Sequence, residues 1–463
     1  MFTLVGVLSA KKSQGTKQDY YLASNTVQPW LVGLSAVATN NSGYMFIGVI
    51  GYTYVAGLSS VWLMLGWISG DYLASRFVHA RLRDAAPRTG EVSYAGVISN
   101  WYGTRNCALQ RTMGLISLSF LLVYASAQLV AGSKALHVLF DWPIWAGATL
   151  SAFLVTLYCI AGGIRASIWT DAAQSIVMVL AMGLLLVVAT ISLGGVDQAL
   201  IEMNTIDGFM SWFPSDLPLP GVPGALLFAA SWLFAGLSII GQPHIMVRFM
   251  ALNDNRKMNQ ARRWYYAWYV LFYAMATAVG MLSRVYLSDA ASFDAELALP
   301  VMAQAVFPPV LVGLVLAGIF AATMSTADSL VLGCSAAITH DLLPQNVERT
   351  SVMKVITVLV TAFALLWALL NSQSVFSLVV VAWSGLASAF APLLIILCLG
   401  GKPGSGVSIL AVCSGLLVAL GWRMLGWHDF AYEGMPGILS GLLILCSALF
   451  LSRKREIQLT QSP

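Results

Sequence analysis

The sequence predicts an all-α polytopic membrane protein: a five-plus-five inverted-repeat core with two broken helices, two C-terminal helices and a truncated N-terminal helix. Three observations carry this reading. The chain is 58% hydrophobic and only 10% charged, with a mean hydropathy of +0.79, far outside soluble globular usage. Its apolar runs are long enough to cross about 30 Å of hydrocarbon. Helix-breaking residues interrupt two of those runs, five spans apart.

Residues 1–29 form the truncated first helix and a loop, because the apolar stretch Met1 to Ser9 covers only about 14 Å as a helix. It also lacks a signal-peptide cleavage region. Five spans follow near residues 30–50, 56–77, 111–132, 142–162 and 172–193, making a first repeat over 30–193. Residues 194–223 are an extracytoplasmic loop. A second repeat over 224–399 holds spans near 224–241, 264–286, 310–332, 352–371 and 375–399. Five crossings are an odd number, so the second copy is inverted relative to the first. Residues 400–463 supply two more spans, near 404–425 and 435–451, and a cytoplasmic tail.

The formal net charge of +4 needs no anionic partner, because loop position explains it. With the Lys11, Lys12 and Lys17 segment on the cytoplasmic side, all but Lys134, Arg284 and Arg423 of the 24 Lys and Arg residues fall on that side. The positive-inside rule then fixes the topology and places the C-terminus in the cytoplasm. The short loops offer no basic, aromatic-bearing patch for nucleic acid. The six cysteines form no CxxC pair, and five of them (Cys159, Cys334, Cys398, Cys413 and Cys446) lie within spans as buried structural thiols. His79, His137, His244, His340 and His428 are scattered. No Ser/His/Asp set, HExxH or Gly-Lys phosphate loop is visible.

In the first span Ala38, Thr39, Asn40, Asn41, Ser42 and Gly43 break the apolar run; in the sixth, Gly236, Ser238, Gly241, Gln242 and Pro243 do so. Unwound backbone at membrane depth is tolerated where protein or a wet cavity satisfies it. Either break alone reads as a kink or a close-packing point. Their matching placement in two halves points to a binding site.

The eighth span adds a polar stripe, with Ala322, Ser325, Thr326 and Ser329 at i, i+3, i+4 and i+7. A sodium ion takes about five or six oxygens. Backbone carbonyls of Ala38 and Asn41, the carbonyl of Ala322 and the hydroxyls of Ser325 and Thr326 supply such a set. Against this stands a bond from each hydroxyl to its own i−4 carbonyl. Asp328 shares the turn with Ser325 and Ser329, and a carboxylate there costs about 2.5 to 3.5 kcal/mol. A second cation or a proton would repay it, with Asp171 as companion. Taken alone, Asp171 reads as an interfacial carboxylate, and Asp71 as a span-end residue without a partner.

The solute pocket is expected between the two breaks, where Asn40, Ser42, Tyr44, Trp232, Ser238 and Gln242 are available. Arg248 is counted with the cytoplasmic basic residues, so no Lys or Arg is expected at that depth. Small zwitterions or neutral polyols then fit better than strongly anionic solutes. Trp383 and Phe390 on the tenth span are candidate gating residues on the outer side, with packing as the alternative.

Three strings carry a resemblance: GQPHIMVRFMA (Gly241 to Ala251), AATMSTADSLVLGCSAAITHDL (Ala321 to Leu342) and GG(x5)WTDAAQ (Gly162 to Gln174). They closely resemble the sodium/solute symporter family, its sodium/proline symporters in particular, and ATNNSG at Ala38 to Gly43 is similar to that family's first broken helix. The likeness runs from Tyr20 to Arg455. It implies thirteen helices with a five-plus-five core, the missing first helix lying outside the core. By resemblance, Ala38, Asn41, Ala322, Ser325 and Thr326 match the family's sodium ligands, and Asp171 with Ser329 matches a second sodium site of some members. Asp328 departs from the pattern, which usually has a small or hydroxylated residue there. Asn40 and Asn25 stand where proline symporters have an acidic residue and an arginine, and Ala235 and Ile239 replace an aromatic pair at the solute site.

The resemblance implies sodium-coupled symport of a small amino acid-like, zwitterionic or neutral solute by alternating access, with Na⁺ as coupling ion and no other cofactor. It implies a transporter rather than an enzyme, embedded in the lipid bilayer of a bacterial inner membrane. Two alternatives share these features: a membrane solute sensor of the same fold, and a proton-coupled symporter that uses Asp328.

Overall fold

The computed structural model describes residues 15–287, 293–343, 347–370 and 374–461. The expected truncated helix at Met1 to Ser9, with Lys11 and Lys12, lies outside them. Among the described residues, ten helical stretches are long and apolar enough to cross a membrane. The longest, Pro29–Thr89, contains the first and second expected spans. The fourth is the shorter apolar helix Ile144–Leu157, and the fifth is Gly162–Ser192. All twelve expected spans therefore have a helical counterpart.

The breaks fall at the residues whose chemistry permits them. The first span is helical from Pro29 to Gly43, but Ser42 has φ 35° and ψ 179°. A wide π-type turn, Tyr44–Val49, follows before Ile50–Ala56 completes the crossing. The sixth span runs Val222–Leu237, tightens to a 3₁₀ turn over Ser238–Gly241, extends at Gln242 and restarts as Pro243–Met250. Proline at the first position of that half-helix has no amide to satisfy and its φ is preset. A third break separates the fourth and fifth spans, where Gly163 takes φ 57°. A Cβ there would lie 2.5 Å from the Tyr20 carbonyl oxygen, so the turn and the close approach both require glycine.

Packing gathers the broken helices at the centre. The eighth span, Pro309–Ala336, makes its most extensive contact with the fourth and fifth spans and also packs on the first. The sixth packs along the second, Ser60–Thr89, through Gly66, Gly70 and Gly236. Ahead of the first span, Val27 pairs with Leu252 as an isolated parallel bridge, and Asn25 donates to the Met250 carbonyl at 2.8 Å. The start of one repeat is thereby tied to the end of the other repeat's broken helix. The eleventh and twelfth spans, Ser405–Met424 and Gly434–Gln461, pack on each other and on the tenth, Val375–Cys398. They present Leu417 and Leu443 outward, as a lipid-facing surface requires. Cys446 is exposed and Cys413 half-buried with them, so only Cys159, Cys334 and Cys398 of the five span cysteines are buried as expected.

Candidate functional site

The first and eighth spans meet at the expected ion ligands. Thr326 Oγ1 donates across to the Thr39 carbonyl at 2.9 Å and only weakly, at 3.3 Å, to its own i−4 carbonyl of Ala322. The i−4 alternative is thus secondary for Thr326. Ser325 makes no such bond: its buried hydroxyl faces the Asp171 carboxylate without a hydrogen bond of normal length and angle, and the side-chain oxygen of Asn41 is buried with no partner. Asn41 donates its amide to the Val37 carbonyl at 2.8 Å. Ala38 and Ala322 are fully buried beside them. Orphaned oxygens in a buried polar site are where a hard cation gains most, so these residues fit sodium as cargo.

One turn further, the second cluster is more elaborate than its spacing indicates. Asp171 is completely buried and pairs with Arg248 at 3.1 Å. It also accepts from Ser35 at 2.6 Å, and the Ser325 hydroxyl faces the same carboxylate. The same guanidinium donates to Ser35 at 2.9 Å, to Ser167 at 3.0 Å and to Ser329. Asp328 accepts from Ser167 and from Ser329, each at 2.9 Å. Asp171 is therefore no interfacial carboxylate. The expectation that no Lys or Arg reaches the site is corrected too. Arg248, 1% exposed, is carried into the interior because Pro243–Met250 resumes the helix directly after the break.

The space between the breaks is nearly closed, with a free volume of about 10 Å³ enclosed by Asn40, Asn41, Tyr44, Met45, Trp67, Tyr124, Tyr269, Tyr273, Val379 and Trp383. Asn40 and Tyr44 face it as expected. Ser42 accepts from Tyr124 at 3.2 Å and from the Tyr44 amide at 3.0 Å. Gln242 donates to the carbonyls of Ser238 and Trp383, and the Trp383 indole donates to the Ala235 carbonyl at 2.9 Å. Ile239 is fully buried, and Ser238 accepts from Tyr432 at 3.0 Å. Trp232 lines the neighbouring cavity of about 470 Å³ instead, with Tyr52, Phe376, Arg423 and Glu433.

The tenth span's aromatics divide differently from expectation. Trp383 stands at the closed space, in edge contact with Trp67 at 5.6 Å. Phe390 packs on Tyr94 of the short helix Tyr94–Ser99, in the half of the span remote from Val375. It is not an outer-side gate. The cover over Tyr44 is Phe376, which stacks on Tyr44 at 5.3 Å and on Tyr52 at 5.4 Å. Phe376 was not singled out by sequence, nor were Arg248 and Tyr265. Their roles come from partners far away in the chain, and no local spacing signals them.

Comparison with known proteins agrees with this architecture. Residues 20–399 match the model of the sodium:solute symporter family. The chain is 29% identical to the sodium/proline symporter of Escherichia coli (strain K12), covering 95% of this chain and 88% of that protein. It is 28% identical to the high-affinity proline transporter PutP of Bacillus subtilis (strain 168), over 99% and 96% of the two chains. Sodium/proline symporter 2 of Staphylococcus saprophyticus is 30% identical over 95% of this chain and 88% of that protein. Among solved structures, a Na⁺-coupled sialic acid symporter in a substrate-bound outward-open state superposes with a TM-score of 0.77 at 19% identity, covering 97% and 95% of the two chains. Mhp1, a nucleobase-cation-symport-1 family transporter in a closed conformation, gives 0.60 at 14% identity over 94% and 95%. The two broken spans, the hydroxyl-bearing eighth span and the match across residues 20–399 together establish that this chain belongs to the sodium:solute symporter family.

Proposed function

We propose that the chain carries a small amino acid-like, zwitterionic or neutral solute into the cell together with sodium, by alternating access. Sodium occupies the junction of the first and eighth spans, held by Ala38, Asn41, Ala322, Ser325 and Thr326. The observation that carries this assignment is the pair of buried oxygens at that junction, the Asn41 side-chain oxygen with no partner and the Ser325 hydroxyl with only the Asp171 carboxylate facing it. Bound sodium fixes the first span against the eighth and favours the state that accepts solute, by its higher affinity for that state. Each sodium moving down a 100 mV potential supplies about 2.3 kcal/mol before any concentration term.

The solute lies between the breaks, against Asn40, Ser42 and Tyr44, with Ala235, Ser238, Ile239 and Gln242 of the sixth span behind it and Trp383 alongside. Proline is the solute of the E. coli, B. subtilis and S. saprophyticus relatives, which makes it the first compound to test. Asp171, Asp328 and Ser329 form a second cation or proton site. Two carboxylates there face one guanidinium, which leaves one negative charge to be matched. The protein sits in a bacterial inner membrane with its basic side and C-terminus in the cytoplasm, a placement that the distribution of Lys and Arg supports.

A thermal-shift screen of the purified protein tests the reading. Amino acids including L-proline, sugars and N-acetylneuraminate are each added with and without sodium. Stabilisation that needs both solute and sodium is the expected result. A solute that stabilises equally in sodium-free buffer would contradict the coupling.

A further inference from the structure

Asp71, on the second span, is completely buried and belongs to neither cation cluster. It accepts from the Tyr265 hydroxyl at 2.6 Å and from the Tyr266 hydroxyl at 2.7 Å. The amide of Asn40 reaches it at 3.5 Å and donates to the Tyr265 hydroxyl as well. Asn40 lines the closed central space, so Asp71 is linked to that space through one tyrosine. No Lys or Arg forms an ion pair with it among the described residues. The nearest guanidinium on the facing seventh span, Arg262, instead donates to the Ser75 carbonyl and to Asn259. The other titratable groups facing Asp71 are phenols of the seventh span, Tyr265, Tyr266 and Tyr269. The sixth span offers only backbone there, with Gly236 against the Asp71 amide.

Asp71 also begins a buried stripe. Ser75, His79 and Arg83 follow it at i+4, i+8 and i+12 along one row that slants around the helix, with exposures of 0%, 0% and 8%. The stripe is about 18 Å long and ends where Arg83 donates to the carbonyls of Leu252 and Asn253 after the sixth span. Ser75 shares Tyr266 with Asp71, at 2.8 Å. His79 lies with its ring 3.7 Å from that of Phe249, and neither of its nitrogens has a partner. An apolar helix face would be cheaper in this position. An ionised carboxylate with no countercharge is costly in such surroundings, and a bound proton removes that cost.

We propose that Asp71 is a proton-binding site of the transport cycle, linked to the solute pocket through Tyr265 and Asn40, with Ser75 and the unpartnered His79 spaced along the row that leads to the basic side of the protein. Asp71 gains a proton from water by way of His79 and returns it by the same route, so the only species exchanged is H⁺. Rearrangement of Asn40 around a solute alters the Tyr265 bond and thereby the hold on the proton. The site is separate from Asp328, and it adds a titrating group to sodium coupling without replacing it.

Infrared difference spectroscopy of the full chain in lipid tests this, reading the C=O stretch of a protonated buried carboxyl from about pH 4 to about pH 9, the span over which buried carboxyls titrate. The wild type should show a band that titrates in this range. Asp71→Asn should lose it, whereas Asp171→Asn and Asp328→Asn keep it. Tyr265→Phe, which removes a single hydroxyl, should shift the band, and His79→Leu should slow its response to a pH jump. Absence of the band in the wild type, or its persistence in Asp71→Asn, overturns the proposal. A band unmoved by Tyr265→Phe overturns the link to Asn40, and an unslowed response in His79→Leu overturns the route. The inference presupposes the transport reading, but the band is read with neither solute nor sodium gradient. Failure of the ligand screen and failure of the proton site are therefore separate results.

Discussion

Arg248 donates to Asp171 across 3.1 Å, with side-chain exposures of 1% and 0%. The pair joins the second half of the sixth span to the fifth, and through Ser329 to the eighth. Removing one member of a buried pair strands the other, at about 3 to 5 kcal/mol. Arg248→Gln should therefore lower the unfolding temperature strongly, and adding Asp171→Asn should restore most of the loss. Thermal unfolding of the two single variants and the double variant in detergent gives the coupling directly. Additive losses would mean that the contact does not hold these spans together.

Ser325 and Thr326 differ in what they do without sodium. Thr326 already bridges to Thr39 at 2.9 Å, whereas Ser325 Oγ only faces the Asp171 carboxylate, without a hydrogen bond of normal geometry. Thr326→Ala should cost about 1 kcal/mol with or without the ion. Ser325→Ala should cost less than Thr326→Ala in sodium-free buffer, because the hydroxyl it removes makes no bond of normal geometry. It should abolish the stabilisation by sodium, which for the wild type is about 2.7 kcal/mol at a hundredfold excess over Kd. Sodium titration of the unfolding temperature separates the two, and a normal sodium response in Ser325→Ala would remove that residue from the ion site.

Hydropathy made the spans legible, because twenty apolar residues have few other uses, and the breaks were legible because Asn, Ser, Gly and Pro weaken a helix locally. Arg248 was not. Charge counting assigns a basic residue by its distance along the chain, but the restart at Pro243 turns Arg248 inward. The partners of Asp71 lie 194 and 195 residues away, beyond any spacing rule. Phe390 was misplaced because an aromatic in an apolar helix carries no mark of which end it serves. Contact with Tyr94 decides that.

The second and sixth spans approach so closely that side chains are excluded. A Cβ on Gly70 would lie 2.1 Å from the Leu233 carbonyl oxygen, and one on Gly236 would lie 2.3 Å from that of Trp67. Both obstacles are backbone, so relief requires the helices to separate. Gly70→Ala and Gly236→Ala should each destabilise by about 1 to 3 kcal/mol. Gly313→Ala is the control, since nothing lies within 4 Å of its Cβ. Equal unfolding temperatures for all three variants would show that this seam tolerates sliding.

Glu296 is placed to hold the start of the tenth span. Its carboxylate accepts from the backbone amides of Val375 at 3.2 Å and Phe376 at 2.8 Å, and pairs with Lys134 of the third span at 2.7 Å. Phe376 in turn covers Tyr44, so this capping contact fixes the aromatic lid over the central space. Loss of such a cap costs about 1 kcal/mol, which increases the open population about five-fold. Glu296→Ala should therefore speed thiol labelling of a cysteine introduced at Ser377, in a background where the exposed Cys107 and Cys446 are serine. Glu296→Gln keeps an acceptor but loses the charge that draws Lys134, so its labelling rate should fall between wild type and Glu296→Ala. Equal rates for all three would show that Phe376 is held by its ring contacts alone, without help from the loop.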